Sequence, residues 1–149
     1  IHVSLLPNNR YRIFVIRLEE GDLIPTCLEG FARENNIEVG LVTLIGGIGE
    51  GNSVTGPRCS DEMPPDAIIT SIVGIHEVLG TGLIAPDKDG NLVLHIHGAF
   101  GRDGETMAGC MRPGVKTWLV GEAVILEITG TEAKRIMDKK SGFALLEPK

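Results

Sequence analysis

Two histidines one residue apart, His95 and His97, sit in the apolar run Leu92-Val93-Leu94-His95-Ile96-His97-Gly98-Ala99-Phe100. Strand alternation would send both imidazoles to one face and Leu94 and Ile96 to the other. Just beyond, Arg102-Asp103-Gly104-Glu105 carries the Asp-Gly pair of a two-residue hairpin turn, whose central positions both need positive φ. With Asp103-Gly104 as the turn, Arg102 faces Glu105, and counting back along both strands sets His97 opposite Cys110, with His95 its diagonal neighbour. Directly opposed Cβ atoms lie about 5 Å apart and diagonal ones about 7 Å, the scale of three ligands around one small ion.

Two imidazoles and a thiolate suit zinc better than magnesium or calcium, which prefer oxygen, while copper, nickel and iron remain compatible. Three protein ligands leave a fourth position open for a small ligand or substrate. Zinc held that way lowers the pKa of a bound water toward about 7 or polarises a carbonyl, the chemistry of a zinc-dependent lyase or hydrolase. The plainer alternative is a polar sheet face lined by histidines, with Cys110 a small buried hydrophobe. The register match with Cys110 is what favours the metal.

Other groups near this hairpin have lesser claims. Arg102 could orient an anionic ligand through its planar guanidinium, or form only an exposed pair with Glu105 worth about 0–1 kcal/mol. Glu77 and Glu105 are the carboxylates available as proton carriers. Folding the chain at the turn Asp87-Lys88-Asp89-Gly90-Asn91 sets Leu83 near His95 and Thr81 near His97. That leaves His76 about 16 Å along its strand, as a surface or interface histidine. The same turn lacks the glycine and the twelfth-position acid of a calcium loop. Cys59, in a Pro-rich loop, is either an unpaired loop cysteine or a further ligand.

The elements that must position these groups read mainly as strands. Residues 11–18 alternate apolar side chains with Arg12 and Arg17, following Arg10, as a one-sided strand does. From Leu23 to Asn35 the spacing of Leu23, Ile24, Cys27, Leu28, Phe31 and Ala32 predicts a helix, with Asp22 as cap and Pro25 in the first turn. Residues 39–48 read as a strand running into Gly46-Gly47-Ile48-Gly49-Glu50-Gly51. That stretch lacks the complete dinucleotide fingerprint and any following Lys-Ser or Lys-Thr, so it reads as a tight strand-to-strand connection. A long loop over 56–66 is followed by strands at 67–79, 83–84, 92–100, 106–111 and 116–128. A short helix over 132–139 behind Thr131 as cap and an edge strand over 143–146 complete the chain. The expected class is α+β: a largely antiparallel or mixed sheet with helices gathered to one face.

With 149 residues the chain suits a single domain, residues 1–149, with an aliphatic core, since only 4% of residues are aromatic. A net charge of −6 opposes the basic footprint that DNA binding by this chain alone would need. Three scattered cysteines fit a reducing cytoplasm better than a disulfide framework. No apolar run approaches the length of a membrane helix, and the first residues lack a signal-peptide pattern, so a soluble cytoplasmic protein is expected.

Several short stretches taken in order carry a family likeness: Gly74-Ile75-His76-Glu77-Val78-Leu79, Gly82, His95-Ile96-His97, Ala108-Gly109-Cys110 and Arg112-Pro113-Gly114. Together, over residues 12–128, the chain resembles the PPC domain conserved in plants and prokaryotes, also known as domain of unknown function 296. Plant members follow a DNA-reading AT-hook, which this chain does not show, so it resembles the stand-alone prokaryotic type. Family members usually carry Gly-Gly-His where Ala108-Gly109-Cys110 stands here, one zinc ligand replacing another. The partner-recognition stretch Gly-Arg-Phe-Glu-Ile-Leu corresponds to Gly74 through Leu79, which makes Gly74, Glu77 and Leu79 the candidate partner-binding positions. The resemblance further implies a homotrimer and a fold similar to acetolactate decarboxylase. Two functions follow as expectations: a metal-binding domain with an open zinc position, or a DNA-associated regulatory or scaffold protein acting through protein partners.

Overall fold

The computed structural model describes residues 2–6, through their backbone, and residues 12–148. Tyr11 and Arg10, at the expected start of the first long strand, lie outside these described residues. The order is β1 (His2–Leu6), β2 (Ile13–Leu18), β3 (Leu23–Ile24), α1 (Thr26–Glu34), β4 (Gly40–Pro57), β5 (Ala67–Pro86), β6 (Leu92–Arg102), β7 (Glu105–Met111), β8 (Val115–Glu127), β9 (Lys134–Met137) and β10 (Ala144–Glu147). The main sheet runs β1-β2-β8-β4-β5-β6-β7, with antiparallel neighbours throughout. The expected α+β class is what forms, with α1 covering one face.

Period-two alternation decides which face is which. Phe14, Ile16, Val42, Leu44, Ile84, Leu94, Ile96, Phe100, Ala123 and Ile125 point inward and join Leu28, Phe31 and Ala32 of α1 in one core. α1 also anchors the open edge of β6, where the Glu29 carboxylate accepts a hydrogen bond from the Leu94 amide at 2.8 Å. The alternate positions Val15, Leu41, Ile45, Leu79 and Val124 stay exposed on the opposite face.

β4 has two neighbours on one side. Its first half pairs with β8, and farther along Ser53 and Val54 pair with Met111 and Cys110 of β7. Since β4 also pairs with β5, β5 with β6 and β6 with β7, these strands close on themselves. Gly109 makes that closure feasible: a Cβ there would lie 2.4 Å from the Val54 carbonyl oxygen and 2.5 Å from Ser53 Oγ.

Four segments differ from the sequence expectation, each for a tertiary reason. The Gly-rich stretch is the interior of β4 rather than a connection; a Cβ on Gly46 would lie 2.0 Å from the Val120 carbonyl oxygen, so glycine admits β8 there. The expected strands at 67–79 and 83–84 are one strand, β5, in which Gly82 makes room for the His95 carbonyl oxygen of β6, 2.4 Å from where a Cβ would stand. The helix starts at Thr26, because Leu23 and Ile24 pair with Lys116 and Val115; Asp22 instead accepts a hydrogen bond from the Glu19 amide. The expected helix over 132–139 is β9, paired with β10. There Ala133 and Arg135 are buried while Lys134 and Met137 are exposed, an alternation that serves a strand and not a helix. The terminal edge strand expected at 143–146 forms as β10.

Candidate metal centre

The hairpin β6–β7 turns at Asp103 and Gly104, whose φ values are 52° and 82°. Both central residues are left-handed, as a two-residue turn matched to strand twist requires. The register follows: Arg102 opposes Glu105 and His97 opposes Cys110. Across the other edge of β6, Thr81 pairs with His97 and Leu83 with His95. β7 stops pairing at His97, so His95 lies where β6 has no β7 neighbour, and the Glu29 carboxylate of α1 meets that edge at Leu94.

His95 Nε2 and His97 Nε2 stand 3.1 Å apart, with the rings crossing edge to face at 76°. Adding Cys110 Sγ, the three ligand atoms all lie within 4.8 Å of one another. Two nitrogens bound to tetrahedral zinc at about 2.0–2.1 Å are separated by about 3.3 Å, and a zinc-bound sulfur lies about 3.5 Å from each nitrogen. The imidazole pair therefore already has ligand spacing, and the thiol closes on the ion by a movement of about 1 Å. In the metal-free chain the same contact is a hydrogen bond between one ring N–H and the other ring's lone pair.

The surroundings favour neutral, ligating imidazole. The pKa of His95 is lowered, first by burial and then by the positive charges of His97, Arg135 and Arg112. Arg135 of β9 is 6% exposed. It donates from Nη2 to the Leu83 carbonyl at 2.7 Å and from Nε to the Val93 carbonyl at 3.4 Å. Leu83 is the cross-strand partner of His95, and Val93 precedes His95 by two residues on the same strand. The negative charge of a Cys110 thiolate would in turn favour the charged form of Arg135, although burial lowers the arginine's pKa overall.

Not every sequence candidate joins the group. Arg102 sits five register pairs from His97–Cys110, about 16 Å along the strand. Its Nη1 donates to the Ile75 carbonyl at 3.2 Å, and its Nε lies 3.5 Å from Asp103, with which it forms the ion pair expected with Glu105. Glu105, opposite it, and Glu77, opposite Gly101, are likewise distant from the histidines. Gly74 (φ 80°) lies under the Arg102 guanidinium, and Leu79 is exposed on the face away from α1. His76 makes a local contact, Nδ1 to the Gly74 carbonyl at 2.9 Å. Cys59 is outside the ligand group, and burial pushes the Cys27 thiol up to about 11, which keeps it protonated.

Arg112 and Arg135 are the charged neighbours that sequence reasoning did not place. Arg112 was within reach of the alternation rule, two residues beyond Cys110. Arg135 carries no local signal, because its position depends on β9 packing against β5 and β6.

A mostly antiparallel sheet with one helix on its inner face and a His-x-His and Cys group on its outer face defines a β-rich domain carrying a potential metal centre. The family model of the Plants and Prokaryotes Conserved (PCC) domain matches residues 7–129, and the chain belongs to that family. Solved structures with this fold include a plant- and prokaryote-conserved protein of Pyrococcus horikoshii, with TM-score 0.79, 22% identity, and 98% of this chain and 94% of that one covered. A metal-containing protein of Archaeoglobus fulgidus matches with TM-score 0.78 and 20% identity, over 98% of this chain and 96% of that one. A protein of Bacteroides thetaiotaomicron, named as a candidate DNA-binding protein, matches with TM-score 0.77 and 22% identity, over 97% and 96%. At these identities the likeness establishes the fold. Among curated protein sequences, none matches at a significant level.

Proposed function

We propose that this chain is a cytoplasmic metal-binding domain that holds a transition metal, zinc by its donor set, through His95, His97 and Cys110. The observation that carries this reading is the convergence of two Nε2 atoms at 3.1 Å with a thiol in the same 4.8 Å group. The metal-containing neighbour from Archaeoglobus fulgidus adds support. Three ligands leave one position for a small molecule, whose carbonyl the ion would polarise or whose attacking water it would activate. Among the chain's own residues, the hairpin turn sets the ligand register, and partial desolvation with neighbouring positive charge lowers the pKa of His95.

The test is metal content. Purified chain should bind about one zinc per site and lose it to a chelator, and His97→Ala and Cys110→Ser should each weaken binding at least about tenfold. Wild-type affinity in both variants would remove the reading.

The assembly proposed with this function is a homotrimer. Its support is the exposed apolar set Val15, Leu41, Ile45, Leu79 and Val124 on the sheet face away from α1, surface that a second copy would cover. A DNA-associated role through partners is the second reading, favoured by the name of the Bacteroides thetaiotaomicron relative. The net charge of −6 weighs against DNA contact by this chain itself.

A further inference from the structure

Arg135 is a buried cation with no carboxylate bonded to it among the described residues; the one opposing charge near it is that of a Cys110 thiolate, which a bound metal would engage. At 6% exposure it has lost most of its water, and the groups that accept its hydrogen bonds, the carbonyls of Leu83 and Val93, are neutral. A desolvated charge in that condition is costly unless an opposite charge joins it. Both observed bonds use one edge of the guanidinium, Nε and Nη2. That leaves Nη1 and the outer hydrogen of Nη2, a fork shaped for two oxygens of one anion.

Its position relative to the candidate metal centre is fixed by the sheet. Leu83, which holds Nη2, is the direct partner of His95, and Val93, which holds Nε, lies two residues before His95 on β6, so the guanidinium sits beside that residue's place in the sheet. Arg112, just past Cys110 in the chain, adds a second positive charge felt at His95. Arg135, held at Leu83 and Val93, sits beside the stretch of β6 that lacks a β7 neighbour.

The geometry points to an oxyanion subsite: Arg135 holds the carboxylate or phosphate group of a small ligand whose other end takes the open position on the metal. This rests on the metal reading and narrows it, assigning a ligand class and a positioning residue. Arg135 orients and neutralises the anion, while the metal acts on the remainder of the molecule. A residue serving only to pin β9 to the sheet would leave anion affinity untouched.

The experiment uses wild-type chain, R135Q and R135K, each first assayed for zinc content and thermal unfolding. Zinc-loaded samples are titrated with acetate and, separately, with inorganic phosphate at constant ionic strength, with acetamide as uncharged control. Calorimetry reads affinity, and 15N NMR follows the Arg135 Nε resonance in the wild type. Saturable binding of either anion, with acetamide silent, should move that resonance along the same curve. R135Q should weaken the anion about tenfold to a hundredfold with zinc content unchanged, and R135K should fall between. The anion that binds tells whether the head group is carboxylate or phosphate. A zinc-loaded chain that binds neither, or binds with the Arg135 resonance unmoved, overturns the subsite but leaves the metal reading standing. A chain that takes no zinc overturns both. Should R135Q fail to fold, the wild-type resonance decides alone.

Discussion

Two glycines with positive φ stand in opposite surroundings. Gly46 has φ 129° and faces the Val120 carbonyl oxygen at a distance no real Cβ tolerates, whereas Gly90, at φ 86°, has open space around it. The two positions separate conformational cost from collision. Gly90→Ala is expected to cost about 1–2 kcal/mol, the left-handed penalty alone. Gly46→Ala should cost more, about 2–4 kcal/mol, because β8 must also withdraw. Urea unfolding of both variants checks the order, and equal losses would mean that β8 yields freely at Gly46.

At the scale of elements, the end of β8 is tied to the start of β2 and to the end of α1 by one arginine. Arg12 donates to both carboxylate oxygens of Glu127, at 2.6 and 2.5 Å, and to the carbonyls of Asn35 and Asn36. The hydrogen bond from Arg12 is the main reason that the pKa of Glu127 is lowered, burial opposing it. A carboxylate lowered on folding adds stability that is present in full above the ordinary glutamate range. That stability is lost as pH falls through the lower folded value. Glu127→Gln should therefore unfold more easily at pH 7, by about 1–3 kcal/mol, and lose stability less steeply in acid than the wild type. Parallel acid limbs for the two proteins would show that this pair carries no linkage.

Elements also show what was legible in the sequence. The β6–β7 hairpin was readable to the residue, since a two-residue turn sets register by counting and alternation sets the face; His97 opposite Cys110 needed nothing distant. The same local logic failed where the cause was remote. Lys134 to Met137 is too short a run to outweigh its helix formers, and it is pairing with β10 and the packing of Arg135 against Leu83 and Val93 that make it β9. The glycines at 46–51 read as a turn because nothing nearby announces that Val115 and Val120, some seventy residues away, press against them.

The whole molecule presents a sheet with one face covered by α1 and the other bearing both the candidate ligands and an apolar stripe. Val15, Val124, Thr43, Thr81, His97 and Cys110 follow one another across the strands in register, so two threonines join the apolar end of this row to the candidate ligands. If three copies bury that face, Val124→Glu places a charge within it. The expected outcome is a fall from trimer to monomer mass in light scattering at micromolar concentration. An unchanged mass would place the contact elsewhere.

Strand order also imposes a sequence in time. β8 lies between β2 and β4, yet it is the last of the main sheet's strands to be synthesised. A nascent chain that has delivered residues 1–114 can fold its β4–β5 and β6–β7 hairpins, but β2 has no strand to join it to β4. Until Val115–Glu127 leaves the ribosome, two aliphatic strand edges wait unpaired, the species most prone to capture by one another or by a chaperone. The candidate ligands on β6 and β7 thus emerge before the strand that joins the sheet behind them.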